Sequence, residues 1–200
     1  MSRLNGAKSS GELILIIGPM KSGKSWDLIS RVDPLFYSDI PWSAFIPSAN
    51  TRDKTIWSRL GKTGIQIDPT KVRKVESLEC ALKENNEVIA IDEVHMFSPD
   101  QSKFFDKLLK QGRQIIAAGL DMDYRGVIYE IIVGLLSLGP SEVKYHAAVC
   151  DVCRKPNARF TQILYDDEPV LEGLPSVIPD DKSHKYKYQA RCHTHFVRKQ

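Results

Sequence analysis

Three groups of residues in this chain have the types and spacing that chemistry requires. The first is Gly18-Pro19-Met20-Lys21-Ser22-Gly23-Lys24-Ser25, which fits G-x-x-x-x-G-K-[ST] at every fixed position. Glycine at both ends lets the backbone curl so that successive N–H groups converge on phosphate oxygens. Lys24 is placed to reach the β- and γ-phosphates of a nucleoside triphosphate, and the Ser25 hydroxyl to ligate magnesium. The second group is Asp92-Glu93, which ends the apolar run EVIAID. An aspartate at such a strand end is the usual second holder of magnesium beside a phosphate loop, and Glu93 is a candidate general base. A carboxylate pair there can also be a solvated turn or a helix cap.

The third group is Cys150-x-x-Cys153 with Cys192-x-x-His195. Each half presents two ligands from a tight turn, and three thiolates with one imidazole suit tetrahedral Zn2+. All four positions are protein ligands, so such a site is structural and closes the long loop between its halves. His193 is a rival ligand, but it stands too close to Cys192 for the usual turn, and His184 reads as a solvated side chain. Cys80, beside Leu78 and Ala81, reads as a small core residue.

Elements that can position these groups alternate along the chain. The run 13–17 is short, β-branched and continuously apolar, as a strand buried on both faces requires. Further strands are expected at 43–47, 64–67, 87–92 and 114–120, and helices at 22–36, 76–85, 99–111 and 127–138, with 51–62 a polar connection. Strands alternating with helices predict an α/β fold, a parallel sheet covered on both faces. After His146 the chain turns polar and rich in turn formers, so residues 1–146 read as a P-loop nucleotide-binding domain. Residues 147–200 read as a smaller subdomain that needs a staple.

Composition narrows the class. The chain has 200 residues, 42% hydrophobic and 26% charged, with a formal net charge of +3. That charge is too small to argue for a nucleic-acid or membrane partner. The first ten residues do not read as a signal peptide, and no stretch approaches the roughly 20 apolar residues of a membrane span. Four cysteines without a secretion signal point to a reducing compartment, the cytoplasm.

Taken in order, GPMKSGKS, IDEVHMF, GLDMDYRG, the C-x-x-C…C-x-x-H tail and the preceding Tyr188-Gln189-Ala190-Arg191 resemble the cellular-type, zinc-containing thymidine kinases, from about Leu13 to His195. The resemblance implies an ATP- and Mg2+-dependent kinase that converts thymidine to its 5′-monophosphate for DNA synthesis, with a loop that closes over the base. It implies a homotetramer. It places Met20 and Leu120 beside the thymine ring, Tyr124 and Tyr129 where the family carries phenylalanines against the nucleoside, and Thr161 near the base. Tyr188 falls in the closing loop, and Glu93 matches the residue that takes the proton from the sugar hydroxyl.

The chain departs from that family at several positions, and these bear on nucleoside specificity. Asn50 stands for an aspartate ahead of Arg52, Ile46 for a lysine and Ile163 for an arginine, and Pro179-Asp180-Asp181 occupies a stretch where a glycine pair is expected. Two other functions use the same residues. One is a P-loop ATPase or switch in which Glu93 activates water, which leaves the cysteine tail unexplained. The other is a catalytically silent, zinc-stapled nucleotide-binding protein.

Overall fold

The computed structural model describes residues 11–51, 55–58, 64–176 and 186–199. In chain order the first half contains β1 (Glu12–Ile17), α1 (Lys24–Val32), β2 (Trp42–Pro47), β3 (Trp57–Ser58), β4 (Ile65–Gln66), β5 (Val72–Val75) and β6 (Val88–Ile91). There follow α2 (Ser102–Lys110), β7 (Gln114–Gly119), α3 (Glu130–Ser137), β8 (Glu142–Tyr145), β9 (Phe160–Tyr165), β10 (Glu168–Pro169) and β11 (Tyr186–Arg191).

The central sheet has six strands in the order β5-β2-β6-β7-β1-β8, and every pairing is parallel. Side chains alternate across it, as the two-residue strand period dictates. Leu13, Leu15 and Ile17 face one way, onto Phe104, Phe105 and Leu108 of α2 and Ile131, Ile132 and Leu135 of α3. Ile14 and Ile16 face the other way, onto Leu28, Ile29 and Val32 of α1. The continuous apolar reading of 13–17 thus follows from two covered faces. Among the described residues no helix is long and apolar enough to cross a membrane.

Several elements differ from expectation, each for a local reason. The helix expected over 22–36 is α1 followed by a 3-10 turn at Asp33–Tyr37. Pro34 stands at that boundary, where its missing N–H cannot continue the α-helical bonding. The helix expected over 76–85 is a 3-10 segment, Leu78–Lys83, capped by the Ser77 hydroxyl. The strand expected at 64–67 lies outside the central sheet and pairs antiparallel with β3. The sheet edges β5 (VRKV) and β8 (EVKY) carry charges, so neither shows the apolar run of a central strand.

Strands β9, β10 and β11 form a second, antiparallel sheet in the order β10-β9-β11, which turn-rich composition did not foretell. Arg52, the 179–181 segment, His184 and most of the 51–62 connection lie outside the described residues.

Candidate active site

Strands β6, β7 and β1 are neighbours and all parallel, so the three chain segments leaving their C-terminal ends meet on one edge of the sheet. Open α/β sheets bind their ligands along that edge. The segment after β1 is the P-loop. Gly18 leaves the strand at φ 146°, and a Cβ there would stand 2.5 Å from the His146 carbonyl oxygen, so only glycine fits. Gly23 is left-handed at φ 87°, and α1 begins at the next residue. The helix N-terminus therefore points at the loop, where it favours an anion.

Lys24 is buried, and its Nζ donates to the Pro19 carbonyl at 2.7 Å. Burial lowers its pKa; Glu93, Asp92 and Asp121 act against that by favouring the charged ammonium. Asp92 follows β6, with its carboxyl hydrogen-bonded to the Ser25 hydroxyl and to the Glu93 N–H, the latter at 2.9 Å. Burial, and then repulsion from Glu93, raise the Asp92 carboxyl well above the ordinary carboxylate range. Burial likewise raises Asp121, on the segment after β7. Ser25 and Asp92 are hard oxygen donors at one spot, and three carboxylates face one ammonium. A Mg2+ ion fits that donor set.

Glu93 is held in a left-handed conformation, φ 52° and ψ 37°, which is uncommon for a residue with a side chain. Its turn can pass over β7 because Gly119 ends that strand: a Cβ there would lie 3.0 Å from Val94 Cγ1 and 3.1 Å from the His95 nitrogen. His95 Nδ1 accepts the Leu120 N–H at 3.2 Å and lies 3.5 Å from the Glu93 carboxylate. A nitrogen that accepts an N–H carries no proton, so the approach to Glu93 is a contact and not an ion pair. The His95 ring packs against Tyr129, centroid to centroid 5.0 Å. Burial pushes the Tyr129 phenol up, and Asp123, Glu93 and Tyr188 push it further. Glu93, Leu120, Tyr129 and Tyr188 therefore share one neighbourhood.

Thr161 and Met20 are joined directly. The Met20 N–H donates to Thr161 Oγ1 at 3.0 Å, so this hydroxyl is tied to the P-loop backbone. Tyr124 is buried, and its hydroxyl is engaged by Leu174. Ile46 lies in the core on the α1 side of the sheet and Ile163 is buried in β9, so both aliphatic departures are packing positions. Asn50 is also buried, and its main-chain carbonyl accepts from Lys74 at 2.5 Å.

Sequence reasoning passed over four residues that the fold brings to the loop. Besides Asp121 and His95 these are His146, which bridges the Ser22 carbonyl (3.0 Å) and the Asp27 carboxylate (2.7 Å), and Asp151, which pairs with Lys21 at 2.9 Å. Asp27 is buried, which alone would raise its pKa. Hydrogen bonds from Lys144, Arg31 and His146 outweigh that and bring it to about 2. A buried carboxylate in GLDMD and an acid inside C-x-x-C were visible as letters, but only tertiary structure supplies their partners.

The cysteine cluster assembles as its spacing implies. The ligand atoms of Cys150, Cys153, Cys192 and His195 all lie within 4.8 Å of one another. Individual separations are 3.8 Å (Cys150 to His195 Nδ1), 3.9 Å (Cys153 to Cys192) and 3.1 Å (Cys192 to His195 Nδ1). Tetrahedral zinc with bonds of about 2.3 Å to sulfur would hold its ligands about 3.8 Å apart, so the donor set fits that ion. Burial opposes ionisation of Cys150, but N–H groups of Cys153, Val152 and Cys192 aimed at its sulfur prevail and lower the thiol to about 6. His193 turns instead onto Phe160, edge to face at 4.8 Å, and Cys80 packs at the rim of the main core.

A parallel sheet with a P-loop, an acidic pair two strands away and a Cys3His knuckle folded against the loop defines a P-loop nucleotide-binding protein of the kinase type. The profile of the thymidine kinase family matches residues 11–196. A thymidine kinase of Thermococcus kodakarensis is 32% identical over 191 residues, covering 94% of each chain. One of Bdellovibrio bacteriovorus is 29% identical over 199 residues, 98% of this chain and 90% of that one. The chain belongs to the thymidine kinase family.

Two outcomes follow from this geometry. Asp92→Asn removes a buried carboxylate whose folded pKa is raised, a group that costs stability as pH rises from about 4 through its folded value. In protein freed of nucleotide and Mg2+, the variant should therefore melt a few degrees above the parent at pH 8, with the gap closing near pH 4. An equal or lower Tm at pH 8 would contradict the burial account. For the knuckle, elemental analysis should find about one zinc per chain, and strong chelation should unfold the 147–199 region, because the metal's binding energy there is folding energy. Four freely titrating thiols in the native protein, with no metal bound, would refute it.

Proposed function

We propose that the protein is a thymidine kinase, moving the γ-phosphoryl group of ATP to the 5′-hydroxyl of thymidine to give thymidine monophosphate. The observation that carries this reading is that Glu93 adjoins both the phosphate side of the site, Asp92 with Ser25 and Lys24, and the aromatic side, where His95 links it to Leu120 and Tyr129. Family membership supports it.

The steps follow from these positions. Lys24 exchanges the Pro19 carbonyl for the β- and γ-phosphate oxygens, a partner of full opposite charge. Ser25 and Asp92 would hold Mg2+, which supplies charge neutralisation on the phosphates. Glu93 accepts the 5′-hydroxyl proton while the O5′–Pγ bond forms and the bond from Pγ to the β-γ bridging oxygen breaks, releasing ADP. Gly18, Pro19, Met20, Lys21, Ser22 and Gly23 form the loop around the triphosphate, with main-chain N–H groups of Lys21, Ser22 and Gly23 as donors to it. Met20, Leu120, Tyr124, Tyr129, Thr161 and Tyr188 bound the nucleoside.

In this reading residues 1–146 hold ATP and residues 147–200 cover the acceptor, with zinc as the staple of the second part. A homotetramer acting in the cytoplasm belongs to the same proposal, by resemblance to the family.

Glu93→Gln keeps shape but removes the proton acceptor, so kcat should fall by roughly 10²- to 10⁴-fold while ATP affinity holds. The parent enzyme, assayed on the four natural deoxyribonucleosides and deoxyuridine, should accept thymidine and deoxyuridine and reject both purines. Near-full activity in Glu93→Gln would exclude Glu93 as the base. A preference for deoxyadenosine or deoxyguanosine would overturn the assignment of the pocket.

A further inference from the structure

The two tyrosines of the 120–129 segment do more with their hydroxyls than pack. Tyr124 Oη donates to the Leu174 carbonyl at 2.9 Å and accepts the Leu174 N–H at 3.1 Å. One phenol oxygen thus satisfies both main-chain groups of a single residue 50 positions away, as a neighbouring strand would. Tyr129 Oη donates to the Ser176 carbonyl at 2.8 Å. The Ser176 hydroxyl lies 2.9 Å from an Arg125 guanidinium nitrogen and 3.3 Å from the Asp123 carboxylate.

The platform that makes these bonds is itself rigid. Asp123 is buried, accepts the N–H groups of Arg125 (2.9 Å) and Val127 (3.1 Å), and pairs with the Arg125 side chain. Its own N–H bonds the Val127 carbonyl, and the Tyr129 N–H bonds the Asp121 carbonyl. Residues 174–176 lie outside helices and strands, so they take their place from what grips them. The grip sits next to the reacting groups, since the Tyr129 ring lies against His95, and His95 lies beside Glu93.

We propose that Tyr124 and Tyr129 are positioning residues. Their hydroxyls fix the 174–176 main chain as the outer wall of the acceptor site, so that affinity for the nucleoside depends on two phenol oxygens and not only on two aromatic rings. This role rests on the nucleoside kinase reading above. Burial of the rings keeps water away from both hydroxyls, and each bond replaces one that 174–176 would otherwise make with solvent. Losing one such bond amounts to roughly a 3- to 10-fold change in an equilibrium.

The test compares Tyr124→Phe, Tyr129→Phe and the double variant with the parent. Each retains the ring, so stacking and core packing persist while the hydroxyl goes. The expected result is a thymidine KM raised about 3- to 10-fold by each change and further by both, with the loss concentrated in KM and the KM for ATP held. In the nucleoside-free protein, amide hydrogen exchange over 170–176 should accelerate in the double variant. Unchanged exchange there overturns the anchoring, and faster exchange with an unchanged thymidine KM overturns the positioning role. If the parent phosphorylates no nucleoside, the function on which the role rests falls, and the exchange result alone then decides whether the grip exists.

Discussion

One buried ammonium surrounded by three carboxylates is the constraint around which this molecule is arranged. Lys24, Asp92, Glu93 and Asp121 interact electrostatically at the edge of the sheet, and Arg159 acts on Asp121 as well. Burial raises the cost of the charges on Lys24 and Asp92, which appears as a lowered ammonium and a raised carboxyl, and the adjoining Glu93 is held in a left-handed backbone. Such a cluster survives because the six-stranded sheet and its two apolar layers hold the strand ends firmly in place. A triphosphate with a divalent cation suits both parts of this cluster: anion for the lysine, cation for the carboxylates.

The second half of the chain braces this site from behind. Thr161 holds the Met20 N–H, and Asp151 pairs with Lys21 while accepting the Ala190 N–H at 2.6 Å. His146 joins the Ser22 carbonyl to Asp27 on α1. Asp151 lies between two cysteines of the Cys3His cluster, so the cysteine turn and the phosphate loop are joined through one side chain. The exposed Lys21–Asp151 pair is worth little energy alone, but it fixes which faces of the two segments meet. The cysteine cluster thus lies against the P-loop and shares in fixing its geometry.

Much of this was legible in the letters. The P-loop, the Asp92-Glu93 pair and the Cys3His set each depend on residue type at a short fixed spacing, and local chain geometry carries that information intact. The buried strands β1, β6 and β7 were legible because two covered faces demand unbroken apolar runs. The edge strands β5 and β8 were not, since charged residues on a half-covered strand resemble a loop. The antiparallel sheet from β9 to β11 was hidden because its pairing joins residues far apart in the chain, such as Ala190 with Thr161. His146, Asp151 and Asp121 were missed for the same reason: nothing local distinguishes a histidine that bridges two segments from one that faces water. Ile46 and Ile163 looked like lost charges and are core residues, because burial, not the letter, decides what a departure means.

The pairing of a lysine with carboxylates makes the site's response to its ligands unequal, and a thermal melt reads it directly. ATP and Mg2+ together, each well above its dissociation constant, should raise Tm far more than the sum of ATP without added Mg2+ and Mg2+ alone. At about 100 times the dissociation constant, the joint ligand contributes roughly 2.7 kcal/mol, which is about 5–10 °C for a domain of this size. Equal stabilisation by ATP with and without Mg2+ would contradict the account, because the carboxylates around Lys24 would then have no need of a cation.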